Sequence, residues 1–411
     1  MKYRELRSIF GESEEKAEAE LTARLSDPST IRFDVEFNEG HPSSMFVCMN
    51  AAVYRLLMNL EMINREIDGL VRHLPGRAVL SYTEQCLVDE IVLTNEIEGV
   101  HSSRREVSDT LESLGGKKAK KGRFKGLIQA YKMLFDQRET GPQETCEDIR
   151  ALYDKLVGPE IEKDDLPDGS IFRKSEVSVR DSMDREVHRG VHPEKAIYRS
   201  LSQALALFDD ERFSEHPFVP IAVFHYLFGY IHPFYDGNGR LNRFLSSRGL
   251  SGVFNPFISL RLSFSVRENL SEYYRAFLSC EHPLNKGDVT PFVLVFGKIT
   301  MHAMQSMRAS LKERLDKLEE CEVALESLCD DLNPREREFA SVLIVAALFS
   351  EHGISVAELE RAFDLSYPTV RPALKVLEQK GLVDSEKVGR RMHYKISFET
   401  LGISRDIVEY H

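Results

Sequence analysis

Ile231-His232-Pro233-Phe234-Tyr235-Asp236-Gly237-Asn238-Gly239-Arg240-Leu241-Asn242-Arg243 follows an apolar helical run and precedes another helix, and the rest of the chain is read from it. One turn holds an imidazole, a carboxylate, two glycines around an amide, and two arginines. Glycine lets backbone N–H groups converge on an anion with no Cβ in the way. A helix that begins just behind such a loop adds its positive end. Arg240 and Arg243, one turn apart, can face one way and grip phosphate oxygens. Asp236 suits a hard cation such as magnesium, which takes a carboxylate together with phosphate oxygens. His232, with an ordinary pKa near ~6.5, suits proton removal at neutral pH. Asp-Gly-Asn-Gly is also a common turn sequence. The combination of matched residue types in one turn is what points to a polyphosphate site with a general base beside it.

The chain has 411 residues, enough for two or three domains. A hydrophobic fraction of 42% and a charged fraction of 29% are those of a globular protein. The net charge of -12 excludes binding of polyanions by bulk charge and leaves room for a local basic surface. Cys48, Cys86, Cys146, Cys280, Cys321 and Cys329 lie far apart with no CxxC pair. That argues against a zinc ribbon or a disulfide framework and fits a reducing compartment. The charged first twenty residues carry no apolar core, so no secretory signal is expected. The longest apolar run, Phe218 to Ile231, contains His225 and is too short to span a bilayer. A cytoplasmic protein without a membrane partner is the expectation.

Residues 1 to about 45 yield no assignment. Helical spacing of Leu56, Leu57, Leu60, Ile63, Ile67 and Leu70 predicts a core helix from Asn50 to about His73. Ser81 to Glu98 reads as another, with Gly99 placed to end it in a left-handed conformation. Gly115 to Arg123 is a basic run without the order of a phosphate-binding P-loop, and reads as a solvated loop. Two helices follow between Phe124 and about Val157, then a turn at Asp168 to Arg173. Glu176 to Arg180 alternates as a short strand does, with a return arm expected between Asp184 and Val191. Helices are predicted over Glu194–Phe208, Phe218–Ile231, Leu241–Gly252 and Ser265–Ser279. Phe218, Ile221, Ala222, Phe224, Leu227, Phe228 and Ile231 form the buried stripe of the second. His225 and His232 would share a side of an unbroken helix, which fits either a metal pair or a core histidine at His225; no third ligand has suitable spacing. Thr290 and Pro291 suit the N-cap and first position of a further helix.

From Ile299 to Leu328, Met304, Leu311, Leu318 and Leu325 repeat every seven residues, joined by Met307, Leu315, Cys321 and Leu328. This seam fits either a coiled-coil dimer or one side packed on the body. Beyond Asn333-Pro334, helices over Glu336–Ser350, Ser355–Phe363 and Tyr367–Lys380 precede a glycine-tipped, arginine-rich hairpin. This looks like a winged helix-turn-helix. Residues 366–396 hold seven Lys/Arg (Arg371, Lys375, Lys380, Lys387, Arg390, Arg391, Lys395) against Glu378, Asp384 and Glu386. A locally basic recognition helix and wing meet the requirement for phosphate-backbone contact. A protein-contact module on the same fold is the other reading.

The opening stretch also resembles the Fic family signature, His-x-Phe-x-(Asp/Glu)-Gly-Asn-Gly-Arg-x-x-Arg. It matches at His232, Phe234, Asp236, Gly237, Asn238, Gly239, Arg240 and Arg243. His225-Tyr226 and Tyr273-Tyr274 look like the family too, and the resemblance covers roughly 124–300. It implies a mainly α protein: a Fic-type helical bundle with a small β-hairpin flap, ahead of the winged helix-turn-helix. The expected divisions are an N-terminal helical region (1–120), a catalytic domain (121–300), a linker helix (301–332) and the winged helix (333–411). The implied activity is transfer of AMP from ATP to a Tyr, Thr or Ser hydroxyl of a target protein, the chain itself included as a candidate. His232 would be the base, and Asp236 would hold Mg²⁺. Gly237, Asn238 and Gly239 would form the anion nest. Arg240 and Arg243 would bind the β- and γ-phosphates, Tyr274 would border the adenine, and Phe234 would anchor the loop. The flap would pair with a strand of the target, although its loop, with Met183, Asp184 and Arg185, is longer than the family's usual one. Thr94, Glu98 and Gly99 resemble the family's inhibitory pattern, (Ser/Thr)-x-x-x-Glu-(Gly/Asn). A carboxylate on Arg243 would occupy the cation that the γ-phosphate needs. Other readings are a nucleotide-sensing DNA-binding regulator, a γ-phosphotransferase, and removal of AMP with Glu98 activating water. DNA is a candidate partner of the winged helix, and a homodimer is a candidate assembly.

Overall fold

The computed structural model describes residues 3–38, 41–114, 122–135, 145–180, 186–328, 331–389 and 391–404. Most of the basic run (115–121), the flap-loop residues Met183, Asp184 and Arg185, and also Cys329 and Arg390 lie outside the described residues. The chain forms two units, one of residues 1–64 and 87–304, the other of 65–86 and 305–411.

The first unit opens with helices α1 (Leu6–Phe10) and α2 (Glu14–Ser26), then strands β1 (Thr30–Asn38) and β2 (His41–Cys48). The strands pair antiparallel from Thr30 opposite Cys48 to Asn38 opposite His41, with an irregularity after Glu36. Sequence reading left this segment unassigned, yet its period is two: Ile31, Phe33, Val35 and Phe37 are buried and alternate with polar residues. The helices α3 (Ala51–Arg72) and α4 (Gly76–Ile97) follow, each contributing to both units, and then α5 (Arg104–Leu114), α6 (Lys125–Phe135) and α7 (Cys146–Leu156). The expected hairpin is present as β3 (Ser178–Arg180) against β4 (Glu186–Arg189).

Then come α8 (Glu194–Leu205), α9 (Phe218–Ile231) and α10 (Asn238–Val253). α9 carries no exposed stripe: every residue from Phe218 to Phe228 is buried, His225 and Tyr226 included. A helix apolar on all sides belongs at the centre of its domain. α8 and α10 pack on it, as do the rings of Phe292 and Phe296, which lie against those of Tyr226 and Phe218. Each fully buried ring or leucine here contributes about 1.5–3 kcal/mol.

The single helix expected over Ser265–Ser279 is two, α11 (Leu262–Glu268) and α12 (Leu270–Glu281). Asn269 breaks it. Its Nδ2 donates to the Ser265 carbonyl at 2.9 Å, the competition with helical bonding that asparagine is prone to. α13 runs unbroken from Thr290 to Leu328. Thr290 is not its N-cap. The Asp288 carboxylate accepts the Thr290 N–H at 2.9 Å, and Thr290 Oγ1 accepts from Cys48 N–H.

In the second unit the heptad seam of α13 is covered by the chain itself: Met307, Leu311, Leu318, Cys321 and Leu325 are buried, while Leu328 is exposed. Arg314, also on α13, donates from Nε to the Leu348 carbonyl at 3.0 Å. The helices α14 (Pro334–Phe349), α15 (Val356–Phe363) and α16 (Tyr367–Gln379) accompany β5 (Ile354–Ser355), β6 (Val383–Val388) and β7 (Arg391–Ile396), in sheet order β5-β7-β6. This is the winged helix-turn-helix. Asn333 with Glu336, and Ser355 with Glu358, close capping boxes at the starts of α14 and α15. Stacked Phe339 and Phe363, 4.2 Å apart, sit in its core. Among the described residues no helix is long and apolar enough to cross a membrane.

Candidate active site

α9 stops at His232 because that residue takes a left-handed backbone, φ 51° and ψ 62°, which residues bearing a Cβ rarely adopt. Arg173 holds it there. Its guanidinium is fully buried and donates to the carbonyls of His232 (2.9 Å), Ser175 (2.7 Å) and Val191 (2.7 Å). Burial pulls its pKa down to about 10, so it is still charged at neutral pH. One side chain thus ties the end of α9 to both sides of the flap. His188, on β4, adds a second tie. Its Nδ1 lies 2.7 Å from Glu281 and its Nε2 2.7 Å from the Tyr230 carbonyl.

The His232 imidazole is half-buried, with Nδ1 3.3 Å from the Gly229 carbonyl. That contact favours a proton on Nδ1 and leaves Nε2 as the basic nitrogen. Desolvation, aided by repulsion from His188 and Arg173, pushes its pKa down to about 4. It is neutral at pH 7, the state a general base needs.

The loop beyond is shaped by its own side chains. Phe234 is buried, stacked 3.8 Å from Tyr153 and edge-on to Phe172 at 5.6 Å. Asn238 accepts the Phe234 N–H at 3.0 Å and donates to the Phe234 carbonyl at 2.8 Å. Its side chain is therefore spent on closing the loop, leaving its backbone for an anion. Gly237 opens α10 at φ 81°, and a Cβ there would strike Val157. Only glycine satisfies both constraints.

Arg240 and Arg243 are both buried and each meets a carboxylate. Arg240 Nη2 lies 3.3 Å from Asp236, whose side chain keeps 48% of its surface exposed. Among the described residues Arg240 Nε and Tyr153 Oη are buried without a hydrogen-bond partner. Such donors are costly to leave unpaired. Arg243 is fully engaged: Nε donates to Thr94 Oγ1 at 2.8 Å, Nη2 to the Thr94 carbonyl at 2.8 Å, and Nη1 to Glu98 Oε1 at 2.9 Å. The Glu98 carboxylate lies so close to Gly239 that a Cβ at that glycine would collide with it. Gly99 follows at φ 71° and ends α4, the place its sequence predicts.

Tyr273 and Tyr274 diverge. Tyr273 is buried and hydrogen-bonded to His225, while Tyr274 is 46% exposed. Burial, then the nearby charge of Glu98, raises the Tyr274 phenol. The His225–His232 metal pair is excluded. His225 Nδ1 is 2.6 Å from Ser246 Oγ and Nε2 is 2.7 Å from Tyr273 Oη, and His232 leaves the helix. His225 is a satisfied core histidine whose pKa burial pushes down to about 3. Among the described residues no group of three or more His, Cys, Asp or Glu could hold a metal. A single exposed carboxylate, Asp236, nonetheless fits magnesium bound chiefly by phosphate oxygens.

Sequence reasoning missed Arg173, His188 and Glu90. Glu90 is fully buried and accepts from Ser263 N–H (2.9 Å), Ser263 Oγ (2.6 Å) and Tyr131 Oη (3.2 Å). Desolvation raises its pKa to about 7 against the pull of these bonds and of Arg243. An acid inside Leu87-Val88-Asp89-Glu90-Ile91-Val92-Leu93 was the available signal.

In the winged helix, Tyr367, Lys375 and Lys387 are exposed. Arg371 is paired with Glu378 at 3.1 Å and Lys380 with Asp331 at 2.5 Å.

Residues 143–249 match the Fic/DOC family model, and residues 335–405 match that of the penicillinase repressor. Two curated relatives are called protein adenylyltransferase Fic. That of Nematostella vectensis is 30% identical over 167 residues, 34% of this chain and 36% of the relative. That of Drosophila ananassae is 27% identical over 241 residues, 57% of this chain and 44% of the relative. The chain thus spans less than half the length of either. A solved Fic family protein from Desulfovibrio desulfuricans G20 superposes with a TM-score of 0.50 at 19% identity, over 85% of this chain and 97% of that one. At that identity the likeness speaks for the fold. Residues 143–249 are thus similar to the Fic/DOC family, and the winged helix-turn-helix behind them is similar to the penicillinase repressor.

Proposed function

We propose that this chain is a protein adenylyltransferase held at rest by its own Glu98. The observation that carries the reading is the Glu98–Arg243 pair at 2.9 Å, set beside the glycine-framed loop whose geometry suits a triphosphate. A γ-phosphate on Arg243 would have to displace that carboxylate. In the active arrangement, Asn238 and Gly239 offer backbone N–H groups, joined by that of Gly237 once it leaves the Asp236 carboxylate to which it now donates at 2.5 Å, and Arg240, with an unspent buried Nε, steadies the β/γ end. Asp236 is the residue that would hold Mg²⁺, which when bound neutralises phosphate charge. His232 Nε2 takes the proton from a target hydroxyl as its oxygen bonds the α-phosphorus. The bond from that phosphorus to the α,β-bridging oxygen breaks, and pyrophosphate leaves. Tyr274, half-exposed and near Glu98 and Arg243, would border the adenine.

Purified protein incubated with α-³²P-ATP and Mg²⁺ tests the reading. Glu98→Gly is expected to raise protein labelling about tenfold or more, as removal of a charge-assisted competitor should. His232→Ala in that background is expected to lower it about 10²–10⁴-fold. Equal labelling with and without Glu98 would remove the inhibitory role. Transfer of a γ-label instead would make the enzyme a phosphotransferase.

The match of residues 335–405 to the penicillinase repressor supports a second role, contact of the winged helix with duplex DNA. Lys375 on α16 and Lys387 on β6 are exposed for phosphates. Binding that weakens steeply with added salt, and further on Lys375→Glu, is the expected result in a gel-shift series.

A further inference from the structure

Four helices of the first unit, α7 to α10, border a cavity of about 210 Å³ beside the C-terminal half of α10. Its walls include the buried side chains of Leu205, Ile221, Phe224 and Leu245. Phe208, in the turn after α8, stands 39% exposed at its edge, with its ring 5.4 Å from that of Phe224. Arg248 is the one charged residue of the lining. It is half-buried, and its guanidinium makes no hydrogen bond or ion pair among the described residues. We infer that this cavity is a binding site for a small aromatic carboxylate. Ligand sites are of this kind: concave, mainly apolar, with few polar groups that fix the orientation.

The ligand class follows from charge, size and ring chemistry. A guanidinium presents a planar fork that the two oxygens of a carboxylate match. Burial draws the Arg248 pKa below its ordinary value, and Asp148 on α7 offsets this only in part. Asp148 is itself exposed and accepts from Thr145 Oγ1 at 2.6 Å. One cation without a second beside it suits a monocarboxylate better than a phosphate. An apolar cavity of about 150 Å³ takes up one benzene molecule, so this one has room for a ring and its carboxylate and little more. The ring would meet those of Phe208 and Phe224 in the tilted contacts that aromatic groups prefer. α10 is shaped for an occupant too. Gly249 has a packing reason, since a Cβ there would sit 3.0 Å from Ile221. Gly252 has none: a Cβ would meet nothing within 4 Å among the described residues, and its φ is not positive, so it is no left-handed cap. Glycine in a helix is less stable than alanine. A helical side chain leans over the turn before its own Cα, so a larger residue at 252 would cover Arg248 and the cavity.

Saturation-transfer NMR titration of the full chain with benzoate, and with benzyl alcohol as its neutral counterpart, tests this. Benzoate is expected to bind at millimolar or lower concentration, about tenfold or more tighter than benzyl alcohol. Arg248→Met should bring that ratio to about one by removing the fork. Gly252→Leu should abolish binding of both compounds, with a thermal unfolding midpoint equal to the parent's or higher. Absence of benzoate binding would overturn the inference and leave Arg248 as a cover for apolar surface. So would equal affinity for the two compounds, a preference for benzoate that survives Arg248→Met, or binding that persists in Gly252→Leu. None of these readings depends on nucleotide transfer.

Discussion

His232 illustrates how one residue is prepared by its surroundings. An ordinary imidazole gains its proton near pH ~6.5; this one has been pushed down to about 4. The sign follows from which state is protonated first. As pH falls below ~6.5 the unfolded chain takes up the proton while the folded site stays neutral, so folding loses stability but the base remains competent. In Glu98→Gly, the acid limb of the labelling rate should therefore lie nearer pH 4 than ~6.5, wherever the fold survives. A limb at the ordinary histidine value would show that the site is more open to water than its geometry implies. Arg173 is the positioning partner. Arg173→Ala strands three carbonyls, that of Val191 in a buried bond and those of His232 and Ser175 in half-buried ones, and should cost about 1–3 kcal/mol in denaturant unfolding. Arg173→Lys should recover only part of that, because an ammonium cannot fan out to carbonyls that a planar guanidinium reaches. The residues proposed to meet phosphate were legible in the sequence because each carries its chemistry in its side chain type. Arg173 was not: it lies some sixty residues from His232, and nothing in its neighbours announces a buried clamp.

At the scale of the element, the end of α4 matters most. The helix must stop so that Glu98 turns toward Arg243, and the stop is a left-handed Gly99 with the Val100 N–H returning to the Asn95 carbonyl at 2.9 Å. A Cβ at Gly99 meets nothing within 4 Å, so Gly99→Ala acts through backbone strain alone, about 1–2 kcal/mol. That strain loosens the turn carrying Glu98. Basal labelling should rise, by less than in Glu98→Gly, with nucleotide contacts intact. A labelling rate equal to the parent's would mean that the Arg243 network holds the turn without help from its cap. The helix and its glycine were readable from periodicity and punctuation. The β1–β2 hairpin was equally periodic but short of turn signals, and it passed unread. The Asn269 break was invisible because an isolated asparagine only sometimes outcompetes the helix, and packing decides when it does.

At the scale of the whole molecule, the winged helix does not end where its sequence pattern ends. The pattern begins at Asn333, yet the unit that contains it also takes in 65–86 and the second half of α13. The contacts are specific. Tyr82 stands edge-on to Phe349 at 6.1 Å and donates to Ser310 at 2.8 Å. Arg77 covers the Phe363 ring at 4.9 Å and donates to the Ala362 carbonyl. Arg314 donates to the Leu348 carbonyl. A fragment of residues 331–411 keeps both capping boxes and the Phe339–Phe363 stack, so its helices should form. It uncovers Phe349 and one face of Phe363, and a domain of this size has little stability to spare. Relative to the same transition in the full chain, its unfolding free energy should fall by about 2–4 kcal/mol, the worth of one or two buried rings. A fragment of 305–411, which restores Arg314 and Ser310 but not Tyr82, should lie between the two. Equal midpoints for the short fragment and the full chain would show that the winged helix is self-sufficient and that Tyr82 and Arg77 contribute nothing to it.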